Sequence, residues 1–558
     1  MKPLIVVAAA ALVMSTVNIK AASAQSLPSQ AKPDLIVLIA IDQFGSLLFD
    51  KWRGSYKSGF KRVVDEGIVY SNAYQSHGLT ETCAGHSTML TGKHPAKTGM
   101  VSNEWYDTTT GKAVYCVADA EHLAAHDPKA RRVGPALLMA TTLGDWLKEQ
   151  QPGSRVVAVS GKDRASITMA GHRADGVFWY EDGIGFTTFV GAGEDGAAKL
   201  APLATLSAKI QAESKTTPEW TYFEESCRNL EDEYRFGNVT WRSKLPPEMP
   251  GEEGKPPGKV RPVYIIDPLT LEAARSLVGN YELGRRGVTD LLAVSLSATD
   301  FVGHGYGTQG PEMCDHVHRL DAQLGEFLNF LDGLGSKVLV VMTGDHGGSD
   351  FPERLQKQGY PSAKRINGRA LLASVNAELK QKLSLTADPL TSPDLAQFYA
   401  VNEEGRQLSE PTRSQVIDAA VNILNHRTEV EEAFTLKDLL NHKVTRSAAS
   451  DYSLRDRYAQ SVMAGRSGDI IVAYKSGVTT AAAAPTQTLM GHSGPYRHDT
   501  AVPIIFWWRD GKPQTRILPI DTTAIAPTLA NVVGVKAPGD LDGTCMNIGY
   551  PGAPNCKQ

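Results

Sequence analysis

Three nearly uninterrupted apolar runs, Leu35 to Ile41, Leu291 to Leu296 and Val338 to Val341, constrain this chain more than any other feature. Short runs of this kind, without alternating polar positions, predict strands buried on both faces, as parallel strands are when helices cover the sheet. Each run is followed by residues that are costly to bury: Asp42 after the first, Asp300 and His304 after the second, Asp345-His346 after the third. Open α/β sheets place their ligands outside the carboxyl ends of their strands. The expected fold class is therefore α/β, a central, mostly parallel sheet flanked by helices, with smaller inserted segments.

His492, preceded by Met490-Gly491, joins these residues to make six candidate ligands, enough for two metal ions. Asp300 and His304 are four positions apart, and Gly303 and Gly305 allow a tight loop or opening helical turn that aims both inward. Asp345 and His346 are adjacent, so on an extended backbone their side chains would point to opposite sides and feed neighbouring metals. Carboxylate and imidazole without thiolate suit zinc, with manganese, iron or cobalt as softer possibilities and calcium disfavoured by the histidines.

The chain has 558 residues, 42% hydrophobic and 21% charged, which is ordinary globular composition in a chain too long for one small core. A formal net charge of -4 gives no footprint for a nucleic-acid-binding surface. Lys2, the apolar run Leu4 to Met14 and Ala22-Ser23-Ala24 match a secretory signal over residues 1–24. Asn18 and Lys20 interrupt that stretch before it reaches bilayer length, so no membrane span is expected after cleavage, and the mature chain is expected to be periplasmic or secreted. In an exported chain the six cysteines favour disulfides, and Cys545 with Cys556 is the simplest pair because they bracket a Gly/Pro-rich tail. No C-x-x-C spacing supports a cysteine metal site.

Residues 34–363 read as a catalytic domain with an insertion near 200–262, 364–479 as a smaller subdomain segment, and 480–558 as a return to the first domain and a tail. Within the first domain a helical segment is expected around Leu48 to Glu66. The strand Arg155 to Ser160 runs into Gly161-Lys162-Asp163-Arg164, and the Thr/Gly-rich block Leu79 to Gly92 suggests a turn entering a helix. Residues 244 to 262 look like an exposed loop. Val317, Leu320, Leu324, Phe327 and Leu331 form a core stripe on a helix over Cys314 to Leu331. Asp469 to Tyr474 and Val502 to Trp508 read as further strands.

Four segments carry a family pattern: Thr80-Glu81-Thr82-Cys83-Ala84-Gly85-His86-Ser87-Thr88, Ser297-Ala298-Thr299-Asp300-Phe301-Val302-Gly303-His304, Thr343-Gly344-Asp345-His346-Gly347 and Gly491-His492-Ser493-Gly494-Pro495. With them the chain resembles the alkaline phosphatase superfamily, and more narrowly the exported bacterial alkaline phosphatases that use a threonine nucleophile and are related to nucleotide pyrophosphatase/phosphodiesterases. The resemblance implies two Zn2+ per chain, one held by Asp300, His304 and His492, the other by Asp42, Asp345 and His346 beside Thr82. It implies that Thr82 attacks phosphorus and carries a phosphothreonine intermediate. Asn103, in Val101 to Tyr106, matches a segment whose asparagine hydrogen-bonds a non-bridging phosphate oxygen.

Lys162 and Arg164 are the expected cationic clamp, and their added charge favours phosphate monoesters over diesters. Small-molecule phosphate esters are the expected substrates and inorganic phosphate the product, with diester hydrolysis as a secondary activity or the alternative reading. Lys162 is also expected to fill the space of a third metal, so no essential magnesium is expected. Cys83 does not begin a sulfatase C/S-x-P/A-x-R motif, because Gly85 and Ser87 stand where Pro/Ala and Arg are required. His86 is expected to pack rather than to ligate, and His498-Asp499, where relatives often carry Tyr-Asp, is expected to vary either the packing or the support behind the ligand residues. A non-catalytic metal- or phosphate-binding module would leave Thr82 without a role.

Overall fold

The computed structural model describes residues 32–214, 218–249, 258–259, 263–444, 448–481 and 488–556. The expected leader, residues 1–24, lies outside them. Of the expected loop 244–262 only parts are described, and there Glu248–Met249 pairs antiparallel with Gly258–Lys259.

A ten-stranded sheet organises the molecule. At its centre Leu35–Ile41 lies between Asp290–Leu296 and Val338–Gly344, parallel to both, and Val156–Ser160 and Gly176–Glu181 extend the parallel set beyond Asp290–Leu296. Every residue of the three central strands is buried, as their unbroken apolar character requires. On the other side Ala501–Trp508 runs antiparallel to Val338–Gly344 and to Ile68–Tyr74, so the returning chain enters the sheet against the grain of the parallel core. The parallel register is level: Ile41 stands opposite both Leu296 and Gly344, and Ser295 opposite Ser160. Whatever follows these residues emerges on one line.

Helices cover both faces. The helix Pro311–Asp332 buries Val317, Leu320, Leu324, Phe327 and Leu331 against the sheet, as their spacing predicted. The expected helix over Leu48 to Glu66 is instead two, Ser46–Trp52 and Gly59–Glu66, separated by the turn Arg53–Ser55. Asp321 causes the second start: its carboxylate accepts the backbone N–H groups of Lys57, Ser58 and Phe60 at 2.7, 2.9 and 2.7 Å, capping from a neighbouring helix the donors that Ser58 leaves unmet.

Residues 390–474 build a second sheet of four strands, in the order Leu390–Thr391, Gln397–Ala400, Ile470–Tyr474 and Val430–Thr435. It has its own apolar core around Val375, Leu379, Phe398, Val416, Leu424 and Val472. Disulfides join Cys83 to Cys116, Cys227 to Cys314, and Cys545 to Cys556, the last being the pair expected from spacing. His318 lies beside Cys227 and Cys314, but the bond between the two sulfurs removes them as metal ligands. Among the described residues no helix is long and apolar enough to cross a membrane.

Candidate active site

The level register brings the strand ends together. Asp42 and Asp345 are the first residues past the paired Ile41 and Gly344, while Leu296 leads into the helix Ala298–Tyr306. On that helix Asp300 and His304 share a face, with His304 Nε2 3.3 Å from Asp300 Oδ1. His492 arrives from the returning segment and places its Nε2 3.5 Å from the same oxygen. His346 Nε2 stands 3.6 Å from Asp42 Oδ1 and 3.4 Å from Asp345 Oδ2. Asp345 and His346 therefore converge rather than diverge. The reason is local: Asp345 Oδ1 accepts the N–H groups of His346 and Gln43, each at 2.9 Å, and the chain turns instead of continuing extended.

Ligating atoms fall into two compact groups, each within 4.8 Å: Asp300, His346 and His492, and Asp42, Asp345 and His86. His346 sits at the seam, near the carboxylates of the second group while its ring stacks on that of His492 at a centroid distance of 3.8 Å. His86 has partners on both ring nitrogens, Thr82 O at 2.9 Å with Asp345 Oδ2 at 3.1 Å on one side and Ser295 Oγ at 2.8 Å on the other. It braces Asp345 from within the core.

Three backbone carbonyls set the histidine tautomers. His304 Nδ1 donates to Met490 O at 2.8 Å, His346 Nδ1 to Gly347 O at 2.9 Å and His492 Nδ1 to Thr80 O at 2.7 Å. A carbonyl only accepts, so each Nδ1 carries a proton, and Nε2 is the nitrogen turned to the centre; on His492 it hydrogen-bonds Asp300, and it becomes a metal-binding lone pair when that ring is neutral. Asp42 Oδ1 and His346 Nε2 are buried there without a hydrogen-bond partner, and Asp345 Oδ2 has only imidazoles beside it, His86 and His346. Buried polar atoms normally have partners, and an anionic oxygen without one is costly. The donor set and its unmet atoms thus fit metal ions.

The charges are strongly coupled. Burial pushes the Asp42 carboxyl up, with neighbouring Asp345 adding to the effect. Burial also opposes ionisation of Asp300, but His304 and Lys162 outweigh it and hold that carboxyl well below the usual range. His492, despite burial, is pushed up to about 9 by its hydrogen bond to Asp300. His346 is pushed down by burial and by His492. Lys162 Nζ bridges the two ligand groups, 2.6 Å from Asp42 Oδ2 and 2.6 Å from Asp300 Oδ2, and these two carboxylates outweigh burial to raise its pKa.

Thr82 opens the helix Thr82–Thr91 and is 1% exposed. A helix N-terminus favours anions through its free N–H groups and dipole. Arg164 Nη2 lies 3.5 Å from Thr82 Oγ1. Arg164 lies in the first turn of the helix Asp163–Ala170, and Asp163 Oδ1 accepts both the Arg164 N–H at 2.7 Å and the Tyr115 hydroxyl at 2.6 Å. Asn103 Oδ1 accepts the N–H of Cys83 at 2.9 Å, which leaves its amide N–H groups to a ligand. The Cys83–Cys116 disulfide and Cys116 N–H donating to Asn103 O at 3.0 Å tie the Thr82 helix to the hairpin Glu104–Asp107/Lys112–Tyr115.

Sequence reasoning missed Gln43 and Glu81. Gln43 has a left-handed backbone, φ 62°, and its Nε2 donates to Asp300 Oδ1 at 2.9 Å, linking the ends of two strands. Asp499, expected with His498 either to pack or to support the ligand residues from behind, accepts the Gly494 N–H at 2.9 Å and so anchors the loop after His492.

Residues 36–495 match the family model of type I phosphodiesterase/nucleotide pyrophosphatase, and the chain belongs to that family. Within it the similarity runs to alkaline phosphatases. Alkaline phosphatase PhoD of Zymomonas mobilis is 34% identical over 94% of this chain and 89% of its own length, and alkaline phosphatase PafA of Elizabethkingia meningoseptica is 28% identical over 93% and 95%. The crystal structure of wild-type PafA superposes with a TM-score of 0.79 at 25% identity, covering 93% of this chain and 99% of that one. Murine ectonucleotide pyrophosphatase/phosphodiesterase 5 shares the fold, with a TM-score of 0.50 at 12% identity over 90% and 96%. The chain is a phosphoric ester hydrolase of the alkaline phosphatase kind, and it carries groups able to hold metal ions.

Proposed function

We propose that this chain is an exported, zinc-dependent phosphomonoesterase that works through a phosphorylated Thr82. The observation that supports the reading is the convergence of six acids and histidines at the strand ends, with the Thr82 helix tied to them through His492 Nδ1 on Thr80 O and through His86, which contacts both Thr82 O and Asp345. Asp300, His304 and His492 would hold one zinc ion and Asp42, Asp345 and His346 the other, with His346 at the boundary and Thr82 adjoining the second. Zinc, when bound, supplies Lewis acidity that makes oxygen nucleophiles available near neutral pH.

The chain's own groups do the rest. Thr82 gives up its hydroxyl proton to solvent as Oγ attacks phosphorus, the P–O bond to the esterified alcohol breaks, and that alcohol takes a proton from solvent as it leaves. Water then cleaves the phosphothreonine, restoring the Thr82 hydroxyl and releasing inorganic phosphate. The helix N-terminus, the Asn103 amide and the Arg164 guanidinium bind the non-bridging oxygens, and Arg164 offers them a planar fork. Lys162 adds compact positive charge. A monoester carries one more negative charge than a diester, so this pair favours monoesters in the transition state.

Export is supported by the signal-like N-terminus and three disulfides. We read residues 34–363 and 480–558 as the catalytic domain and 364–479 as a subdomain beside it. The test compares monoester, diester and sulfate ester hydrolysis on zinc-loaded protein. Fastest turnover of the monoester, two zinc ions per chain by metal analysis and loss of turnover on chelation are the expected results. A faster diester would transfer the chain to the phosphodiesterase reading that the family name favours.

A further inference from the structure

We propose that Glu81 is a positioning residue that fixes the nucleophile, the phosphate clamp and the His492 loop relative to one another. This rests on the reading of Thr82 and Asn103 given above. Glu81 is 6% exposed and occupies the N-cap of the Thr82 helix with an extended backbone, φ -125° and ψ 161°, yet its carboxylate makes no capping bond to that helix. Ser, Thr, Asp or Asn at this position ordinarily accepts an N–H of the first turn, and the longer Glu side chain reaches past it. Here Asn103 Oδ1 takes the Cys83 N–H instead, at 2.9 Å, while the Asn103 N–H donates to Glu81 Oε2 at 2.6 Å. The two segments exchange bonds as a capping box does, but between residues far apart in sequence.

The other oxygen faces the metal side. Glu81 Oε1 accepts the Ser493 hydroxyl at 3.1 Å. Ser493 has φ 90°, a conformation that is strained for a non-glycine residue and persists only under outside restraint. That restraint is a set of ties between segments 80–82 and 492–494: Glu81 to Ser493, Thr80 Oγ1 to Gly494 O at 2.9 Å, and His492 Nδ1 to Thr80 O at 2.7 Å. Glu81 thus touches the clamp and the His492 loop directly and adjoins Thr82 through the chain. Both of its oxygens are committed to these donors, so it positions and does not ligate.

The test uses zinc-loaded full chain, with metal content, calorimetric affinity for inorganic phosphate, and kcat and KM on a chromogenic monoester. Glu81→Ala is expected to keep both metals but to lose ~10- to 100-fold in phosphate affinity and about 100-fold in kcat/KM, the scale of one or two buried hydrogen bonds. Glu81→Gln is expected to recover most of this, because its amide oxygen accepts from Asn103 and its amide N–H donates to the Ser493 oxygen. Since Glu81 acts through Asn103, Glu81→Ala in an Asn103→Ala background should cost much less than the product of the single losses.

Losses that multiply, a Gln variant no better than Ala, or unchanged phosphate affinity in Glu81→Ala would each overturn the proposal. If Glu81→Ala does not fold, Ser493→Ala severs one branch alone and is expected to weaken phosphate binding ~10-fold, about one hydrogen bond; wild-type affinity in that variant would also overturn it. A wild type that binds phosphate but hydrolyses no monoester would sink the functional reading while leaving the affinity comparison decisive for Glu81.

Discussion

The two ends of the same parallel strands carry acids in opposite conditions. At the amino ends, Asp34 Oδ2 accepts the Lys337 N–H at 2.8 Å, Asp175 Oδ2 accepts that of Val156 at 2.8 Å, and Asp290 accepts those of Arg155 and Gly284 at 2.7 and 2.9 Å. Arg286 adds an ion pair to Asp290. At the carboxyl ends Asp42 keeps a buried oxygen without a partner, and one oxygen of Asp345 has imidazoles rather than main-chain N–H groups beside it. The first set staples neighbouring strands; the second faces the candidate site. Burial does not mark the candidate site, nor does one unmet oxygen, which Asp267, Glu312 and Asp499 also carry; the gathering of several acids with several imidazoles does.

Substitutions at the two ends should separate chemistry from stability. Thr82→Ala is expected to lower kcat by ~10⁴-fold or more, as removal of a nucleophile does elsewhere, with metal content and melting temperature near wild type. Substantial residual turnover would remove Thr82 from the mechanism. Lys162→Ala with Arg164→Ala should lower monoester kcat/KM by ~10³-fold, the scale for transition-state charge stabilisation. Diester hydrolysis should fall far less, and equal losses would refute the division between the two substrates.

At the amino end Asp290→Ala should leave kcat unchanged. It should destabilise the fold by about 1–3 kcal/mol for each buried donor left unpaired, read as a lower denaturant midpoint. A change in kcat with no change in midpoint would break the comparison.

The smallest effect concerns Asp267, whose carboxylate accepts the Ala298 N–H at 2.9 Å at the start of the helix carrying Asp300. Burial pushes this carboxyl up to about 7, so the folded chain keeps a proton that the unfolded chain releases near the ordinary carboxylate value. Between those two values the folded state binds more protons, and stability falls as pH rises, by at most ~1.4 kcal/mol per pH unit. Asp267→Asn should flatten that fall; identical slopes would dismiss the assignment.

The central strands were legible because burial on both faces leaves a short apolar run, too brief for a buried helix and closed by polar residues. The acids and histidines were legible because they follow those runs directly. Gln43 and Glu81 were hidden, since their roles depend on a left-handed backbone and on a bond to the main chain of Asn103, neither of which has a residue signature. The orientation of His304, His346 and His492 was likewise invisible, because backbone carbonyls fix it. The break between Trp52 and Gly59 came from Asp321, more than 250 positions away, overriding local helical pattern. The antiparallel course of Ala501–Trp508 depends on where the returning chain enters the sheet, which an apolar run does not encode.

The alignment of Ile41, Leu296 and Gly344 makes length a stricter requirement than side-chain identity in these three strands. Trading one aliphatic for another inside them disturbs packing alone. Adding or deleting a single residue would slide one ligand past its neighbours by ~3.3 Å and turn the side chains beyond the change to the opposite face. Divergence in this part of the molecule is thus free to rewrite letters but not to change their number.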